Sequence, residues 1–434
     1  MRKIAALFIA SLLLVPSAPA FAQEPLRLTL EQAIEAALAH NPRYRVAIAA
    51  VQVRADDVRA ARGDRSPTLN VSDTYTSSNP VAKLSTPFGP LPFGPNATNL
   101  PLLTAQYTFF DSGAGAARAS RADAQYAAAA ADEREARGGL IASVTQAYVD
   151  DLATGAAADA ADAAVVDGQR LFNDTRARFA IGTVPRFDLL EARSELADLR
   201  VRAIDARGAV TIAHERLATV LGLPATTSIF TSDLLGAPDT VPAVDQLVAS
   251  AVSRRGELLA AHAALDAAAA SVREARAQNG PSVGVSVSEG NVQPSVQPGY
   301  TAQFVVALQG VWRLYDGGAT AARIAAAQDA LAQAQAEYDR QLAQAELDVR
   351  EAYVQLQTAQ ERVAATRDLA AAAGEDQRLA EVRYRGQVGT QLELRDAQAR
   401  SAAARQQYIR AQADLRIADA QLRFVAGINE TGGV

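Results

Sequence analysis

The chain has 434 residues, no cysteine and a formal net charge of −6. Without cysteine it can form no disulfide and no cysteine-ligated metal site, and its mildly acidic charge argues against a nucleic-acid partner. Lysine occurs only at Lys3 and Lys83, so the phosphate-binding Gly-x-x-x-x-Gly-Lys-Ser/Thr loop is absent and nucleotide hydrolysis is not expected.

The first 22 residues have the pattern of a secretory signal peptide. Arg2 and Lys3 precede an apolar run over residues 4–15, which is too short to span a membrane. Residues 20–22, Ala-Phe-Ala, then form a small-x-small cleavage site. We therefore predict that residues 1–22 are a signal peptide.

The remainder of the chain is an internal duplication. The segment around Asp111 recurs 205 residues later around Asp316, and Gly222 recurs with the same shift as Gly427. A repeat of this length indicates a duplicated half-protein rather than a solenoid unit. We predict a first repeat over 23–222, a linker over 223–243, a second repeat over 244–427 and a C-terminal tail over 428–434.

Each repeat contains a predicted β-hairpin, at about 67–111 and about 281–316. Apolar and polar residues alternate along segments of roughly ten residues, the length of a tilted membrane-spanning strand. Asp73 interrupts the apolar side of the first strand. A Pro- and Gly-rich loop, nine residues longer in the first repeat, joins the strands. Four aromatic residues near the strand ends are candidates for a membrane-interface girdle: Tyr107, Phe109, Trp312 and Tyr315.

A pair of long helices follows each hairpin, at 113–221 and 318–424. Stretches of about 66 residues lack proline and are rich in strong helix formers, so each first helix should reach roughly 100 Å. Asp111 and Asp316 are placed as their N-caps. Shorter helices are predicted at 30–39, 43–62, 244–253 and 257–278. A coiled-coil seam with alternating steps of four and three is predicted at Tyr338, Leu342, Ala345, Val349, Ala352 and Leu356.

Four strands cannot close a barrel. In lipid, the open edges would leave backbone groups unsatisfied at several kcal/mol each. Several chains must therefore share one barrel if the strands span a membrane. Three copies would supply twelve strands, although the strand number alone does not fix the choice of three.

This layout resembles the TolC family of outer-membrane efflux ducts. The resemblance is carried by the duplicated helix, hairpin and long-helix order, by Tyr315-Asp316-Gly317-Gly318 after the last strand, and by Arg178-Phe179-x-x-Gly182 at a helix turn. It implies an α+β membrane protein: a trimer with a 12-stranded antiparallel β-barrel, four strands per chain, and a long periplasmic α-helical coiled-coil barrel.

The resemblance also implies a location and partners. The homotrimer would sit in outer-membrane lipid of a Gram-negative cell and extend into the periplasm. A periplasmic adaptor (membrane fusion) protein and an inner-membrane RND or ABC transporter would supply substrate and energy. The chain would act as the passive duct of a tripartite efflux or type I secretion system.

A periplasmic gate at the helix tips is the most specific implication of the resemblance. Asp188 and Tyr384 match the pair that links neighbouring helices in the closed state, and Glu393 and Asp396 match two acidic positions at the constriction. Three copies would give six carboxylates and a field that attracts cations. The positions matching the adaptor-docking tips are Gly182, Gly386, Gln387 and Gly389.

The chain departs from the family at two of these tip positions. Gly389 stands where an arginine would anchor the closed state, and Gln387 stands where glycine is favoured. We therefore expect a weaker or rearranged lock, and we expect the tip that carries Gln387 to be the one that moves. On residues alone, these charges are more typical of a solvated helix face than of a gate.

No catalytic site, cofactor or metal site is predicted. His40, His214 and His262 lack an acidic or histidine partner at ligand spacing, and the acidic residues follow helical spacing rather than converging on a pocket. The alternative to an export duct is a periplasmic structural or adaptor-like coiled-coil protein with the hairpins as soluble caps. The aromatic-flanked strands favour the duct, since a soluble cap does not need them.

Overall fold

A computed structural model describes residues 26–77, 79, 83–92, 97–227, 229–231, 242–292 and 301–428. The predicted signal peptide lies outside the described residues, as do parts of the predicted linker and nearly all of the predicted tail. No helix among the described residues is long and apolar enough to cross a membrane.

Eight helices form within the described residues, and the second four repeat the order and length of the first four. They are α1 Leu30–His40, α2 Pro42–Gly63, α3 Ala114–Ala180, α4 Arg186–Leu221, α5 Val244–Arg254, α6 Gly256–Ala277, α7 Ala319–Arg385 and α8 Gln391–Val425. The long helices α3 and α7 have 67 residues each, which corresponds to about 100 Å at 1.5 Å per residue.

Eight strands also form within the described residues. They are β1 Leu26–Leu28, β2 Thr68–Ser77, β3 Lys83–Thr86, β4 Gly89–Pro92, β5 Ala97–Phe110, β6 Ile229–Thr231, β7 Ser282–Val292 and β8 Thr301–Val311. The main sheet is antiparallel throughout, in the order β2-β5-β7-β8. The loop predicted within the first hairpin contains the small β3–β4 ladder.

The duplication places the same kind of core in each half. In the first half, Val144 and Leu217 are fully buried beneath α1, and their counterparts 205 residues later, Val349 and Leu422, are buried beneath α5. The seam predicted on α7 is buried at its last four positions, and its first two, Tyr338 and Leu342, are half-buried. Each half therefore buries its own helix hairpin.

The predicted N-caps of the long helices are wrong by two residues. The N-cap positions are Gly113 and Gly318, both with left-handed backbones. Asp111 and Asp316 still bind helix amides: the amide of Gly113 donates to Asp111 Oδ1 at 3.1 Å, and that of Thr320 donates to Asp316 Oδ2 at 2.8 Å. The left-handed glycine turns the chain so that an earlier carboxylate reaches the open helix end.

The parallel pair β1–β6 is not predicted by the sequence pattern. Leu26–Leu28 lies beside Ile229–Thr231, which places a strand inside the predicted linker. Three residues are too few to show a period of two. The pair joins the start of the first repeat to the segment that follows it.

The long helices form one layer. Helix α3 packs on α4 and α8, and α7 packs on α8, so this end of the layer runs α4–α3–α8–α7. Nearer the strands, α3 packs on α2 and α6, and α6 packs on α7. Helix α7 therefore forms one edge of the layer, and α2 with α4 forms the other.

Candidate gate at the helix tips

The turns that join α3 to α4 and α7 to α8 have the same backbone shape. Gly182 has a φ of 76° and Gln387, its counterpart 205 residues later, has a φ of 59°. The amide of Thr183 donates to the carbonyl of Arg178, and the amide of Val388 donates to that of Arg383, both at 3.0 Å. Glutamine thus occupies a left-handed position that normally favours glycine.

Gly389 fits a tight site against the end of α7. A Cβ at this position would lie 3.0 Å from the Cβ of Arg383 and 3.2 Å from the backbone nitrogen of Tyr384. A side chain at this position would therefore require the end of α7 to shift by a few tenths of an ångström. Gly386, at the C-cap of α7, begins the same turn.

Tyr384 packs against the first repeat. Its side chain is buried, and the guanidinium carbon of Arg178 lies 5.1 Å from the centre of its ring, within cation–π range. Its hydroxyl has no hydrogen-bond partner among the described residues. The predicted link between Tyr384 and Asp188 is thus not a hydrogen bond within one chain, and it stays a prediction for the assembled duct.

Although α3 lies between α4 and α8 along the layer, side chains at the starts of α4 and α8 contact the neighbouring tip. The side-chain amide of Gln391 donates to the backbone carbonyl of Asp188 at 3.4 Å. One turn further, Arg395 Nη1 lies 2.6 Å from Glu191 Oε1. This ion pair joins the tips of the two helix hairpins, and its residues are 204 positions apart, so their spacing in the sequence does not predict it.

The two acidic residues predicted at the constriction, Glu393 and Asp396, each have an arginine nearby in the same chain. Glu393 Oε2 lies 3.6 Å from Arg383 Nη2, and Asp396 Oδ1 lies 3.6 Å from Arg395 Nη2. Both carboxylates are about half exposed. The negative field expected from six carboxylates is therefore weakened by adjacent guanidinium groups.

The predicted interface aromatics lie at the helix-side end of the main sheet. Tyr107 and Phe109 are in β5 with ring centres 6.5 Å apart, whereas Trp312 and Tyr315 follow the end of β8 and are exposed. Tyr107 and Trp312 are counterparts in the repeat. The four residues thus share one end of the sheet, and their role at a membrane interface stays a prediction.

The prediction that the histidines lack acidic partners is wrong for His214 and His262. His214 Nε2 lies 3.3 Å from Asp151 Oδ1, and Thr231 Oγ1 donates to Asp151 Oδ2 at 3.0 Å. Burial raises the pKa of the Asp151 carboxyl, and His214 and Thr231 oppose that rise. His262 lies 3.5 Å from Asp266 on the same helix. The described residues contain no group of three His, Asp or Glu side chains that could hold a metal ion. Through His214 and Thr231, Asp151 on α3 contacts α4 and β6.

The prediction that acidic residues do not converge on a pocket is also wrong, because two of them line one groove. A groove of about 1150 Å³ lies between α3, α4 and α8. Asp150 and Asp414 line it together with Arg216 and Arg410. Burial raises the pKa of Asp150, and the two arginines oppose that rise. The rest of the lining mixes alanine with polar side chains, among them Gln146, Glu215 and Gln406.

Comparisons with known proteins agree with this architecture. The family model described as outer membrane efflux protein matches residues 33–223 and 247–428. Protein CyaE of Bordetella pertussis is 30% identical over 265 residues, which are 60% of this chain and 54% of that relative. The chain thus aligns with about half the length of this curated relative.

Two solved structures show the same fold. The outer membrane protein VceC of Vibrio cholerae has a TM-score of 0.78 at 22% identity, covering 92% of this chain and 96% of that one. The CmeC outer membrane channel of Campylobacter jejuni has a TM-score of 0.80 at 13% identity, covering 92% and 86%.

Proposed function

The chain belongs to the outer membrane efflux protein family, and we propose that it works as a trimeric, passive export duct of a Gram-negative outer membrane. Three four-stranded sheets would form one barrel, and the helix layers would form a tunnel through the periplasm. A periplasmic adaptor and an inner-membrane RND or ABC transporter would supply substrate. Family membership argues against the adaptor-like coiled-coil alternative.

The exposed apolar side of the main sheet is the observation that carries this proposal. Leu69, Val71 and Tyr75 on β2 and Val306 and Leu308 on β8 are all more than half exposed. Large exposed apolar patches mark interaction surfaces, and a stripe that alternates with polar residues is typical of a strand with one side in lipid.

The tips support a gate in this duct. The Arg395–Glu191 ion pair and the Gln391 hydrogen bond to Asp188 hold the second helix hairpin against the first. Separating them would move the α7–α8 tip away from α4. We propose that this contact supplies the lock that an arginine at position 389 would otherwise provide. The tip turns with Gly182 and with Gly386, Gln387 and Gly389 are the proposed docking points for the adaptor.

A pair of neighbouring substitutions tests the membrane assignment. Leu308→Lys places a charge on the apolar side of β8, at a cost of about 2–4 kcal/mol per chain at mid-membrane. Gln309→Lys places the same charge on the polar side and is the matched control. We expect Leu308→Lys to abolish insertion into outer-membrane vesicles and conductance in planar bilayers, and Gln309→Lys to retain both. Equal behaviour of the two variants would contradict the proposal.

A further inference from the structure

The main sheet ends in two unpaired edges. Among the described residues, β2 pairs only with β5 and β8 pairs only with β7. We propose that β8 of one chain pairs with β2 of a second copy in one defined register, with Gln309 opposite Thr74 of the second copy. This inference rests on the proposed duct, and it adds the atomic pairing that closes the barrel.

The two hairpins are the same structural unit. A shift of 214 residues carries β2 onto β7, and a shift of 205 carries β5 onto β8. The observed pair Thr68–Gln106 in the first hairpin then becomes Ser282–Val311 in the second, which is also an observed pair. The registers of both hairpins thus obey the sequence repeat.

The joint between the hairpins within one chain is the template for the joint between chains. There, β5 pairs with β7, and Thr104 lies opposite Ser288. In the repeat, β8 corresponds to β5, so the free edge of β8 corresponds to the edge of β5 that pairs with β7. Likewise β2 corresponds to β7, so the free edge of β2 corresponds to the edge of β7 that pairs with β5. Applying the same shifts turns the Thr104–Ser288 pair into Gln309 opposite Thr74 of the second copy.

The resulting pairs are chemically consistent. Leu308 falls opposite Tyr75 of the second copy, which keeps apolar residues on one side of the sheet, whereas a slip by one residue would mix the two sides. Asp73 of the second copy falls opposite Gly310, which carries no side chain. This register therefore leaves space for the one carboxylate on the apolar side of β2. A slip by two residues would place that carboxylate opposite Leu308 or Trp312.

Engineered disulfides can test this register because the chain has no cysteine of its own. Residues directly opposite in antiparallel strands have Cα atoms about 4.5–5.5 Å apart, which suits a disulfide. Diagonal neighbours lie about 7–8 Å apart, beyond the usual disulfide range. The test variant combines Gln309→Cys with Thr74→Cys. The register controls combine Gln309→Cys with Ser72→Cys or with Thr76→Cys.

A further variant, Thr104→Cys with Ser288→Cys, forms its disulfide within one chain at the pair that served as template. After oxidation in membranes, we expect the test variant to run at three times the mass of the single chain on non-reducing gels. We expect both register controls to remain at the mass of one chain. A covalent trimer from either control would overturn the register.

Bilayer conductance separates failure of the register from failure of the duct. If Thr104→Cys with Ser288→Cys oxidises and conducts but the test variant stays monomeric, the register is wrong and the duct stands. If the test variant stays monomeric and the unmodified chain gives no conductance, the duct itself is wrong.

Discussion

Replacing Arg395 with glutamine is expected to loosen the tunnel tip. Arg395 Nη1 lies 2.6 Å from Glu191 Oε1, and the two side chains are 36% and 22% exposed. The pair joins α8 to α4 and so crosses between the two helix hairpins. Its loss should favour the arrangement in which the α7–α8 tip moves away from α4.

The size of the effect follows from this geometry. A hydrogen bond to a charged group contributes about 1.5–3 kcal/mol, but a pair this exposed is screened by solvent toward the range of about 0.2–1 kcal/mol. We take about 1 kcal/mol per chain. If the three tips of the proposed trimer open together, the sum is about 3 kcal/mol, which shifts the equilibrium toward the open state roughly 100-fold at 1.4 kcal/mol per tenfold change.

Single-channel recording in planar bilayers measures this shift as the fraction of time spent open. Arg395→Gln and Glu191→Gln should each raise that fraction, and the double variant should raise it no further, because both remove the same contact. The matched control is Arg400→Gln, which breaks a 3.1 Å pair with Asp376 between α7 and α8 of one hairpin. If Arg400→Gln opens the channel as much as Arg395→Gln, or if the two single effects add, the reasoning is refuted.

Three further predictions concern stability. Burial raises the pKa of the Asp151 carboxyl above its usual value of 3.8, so the folded state keeps this proton to higher pH than the unfolded state does. The free energy of unfolding of the protein should therefore fall as the pH rises above 3.8. Urea unfolding at a series of pH values should show this decrease in the unmodified chain and not in Asp151→Asn. Gln387→Gly should stabilise its tip by about 1 kcal/mol by removing left-handed strain, and Gly182→Gln should destabilise the other tip by a similar amount, both measured by hydrogen exchange of the tip amides. Gly222→Ala should cost about 2 kcal/mol or more, because its backbone has φ +77° and a Cβ would lie 2.6 Å from a backbone carbonyl oxygen; Gly63→Ala, where a Cβ meets nothing within 4 Å, is the control for thermal unfolding.

Features that depend on local chemistry could be predicted from the sequence. The predicted helix at 30–39 forms as Leu30–His40, and the one at 43–62 forms as Pro42–Gly63, because Asn41-Pro42 ends one helix and begins the next. The alternation of apolar and polar residues likewise predicted β7 and β8, because this pattern also depends only on neighbouring residues. Asp316 located the start of α7 to within two residues, because the left-handed glycine turn places the N-cap at Gly318.

Contacts between segments far apart in the chain could not be predicted in this way. Asp151 and His214 are separated by 63 positions, and Glu191 and Arg395 by 204. Spacing along one helix carries no information on which helix lies next to it. Packing of α3 on α4 brings Asp151 and His214 together, and the approach of the helix tips brings Glu191 and Arg395 together. Only the structure supplies these contacts.

The repeat makes the backbone scaffold symmetric, whereas individual side chains at the tips differ between the two halves. The cores at Val144 and Val349 and the turns at Gly182 and Gln387 keep the same geometry, as the proposed barrel of six similar units would require. The counterpart of Arg395 in the first repeat is Leu190, so only the second hairpin carries this arginine. A side chain present in one half alone can hold one hairpin against the other. Such a contact can therefore be broken at the tip while the symmetric joints above it remain intact, which is what a gate in a rigid duct requires.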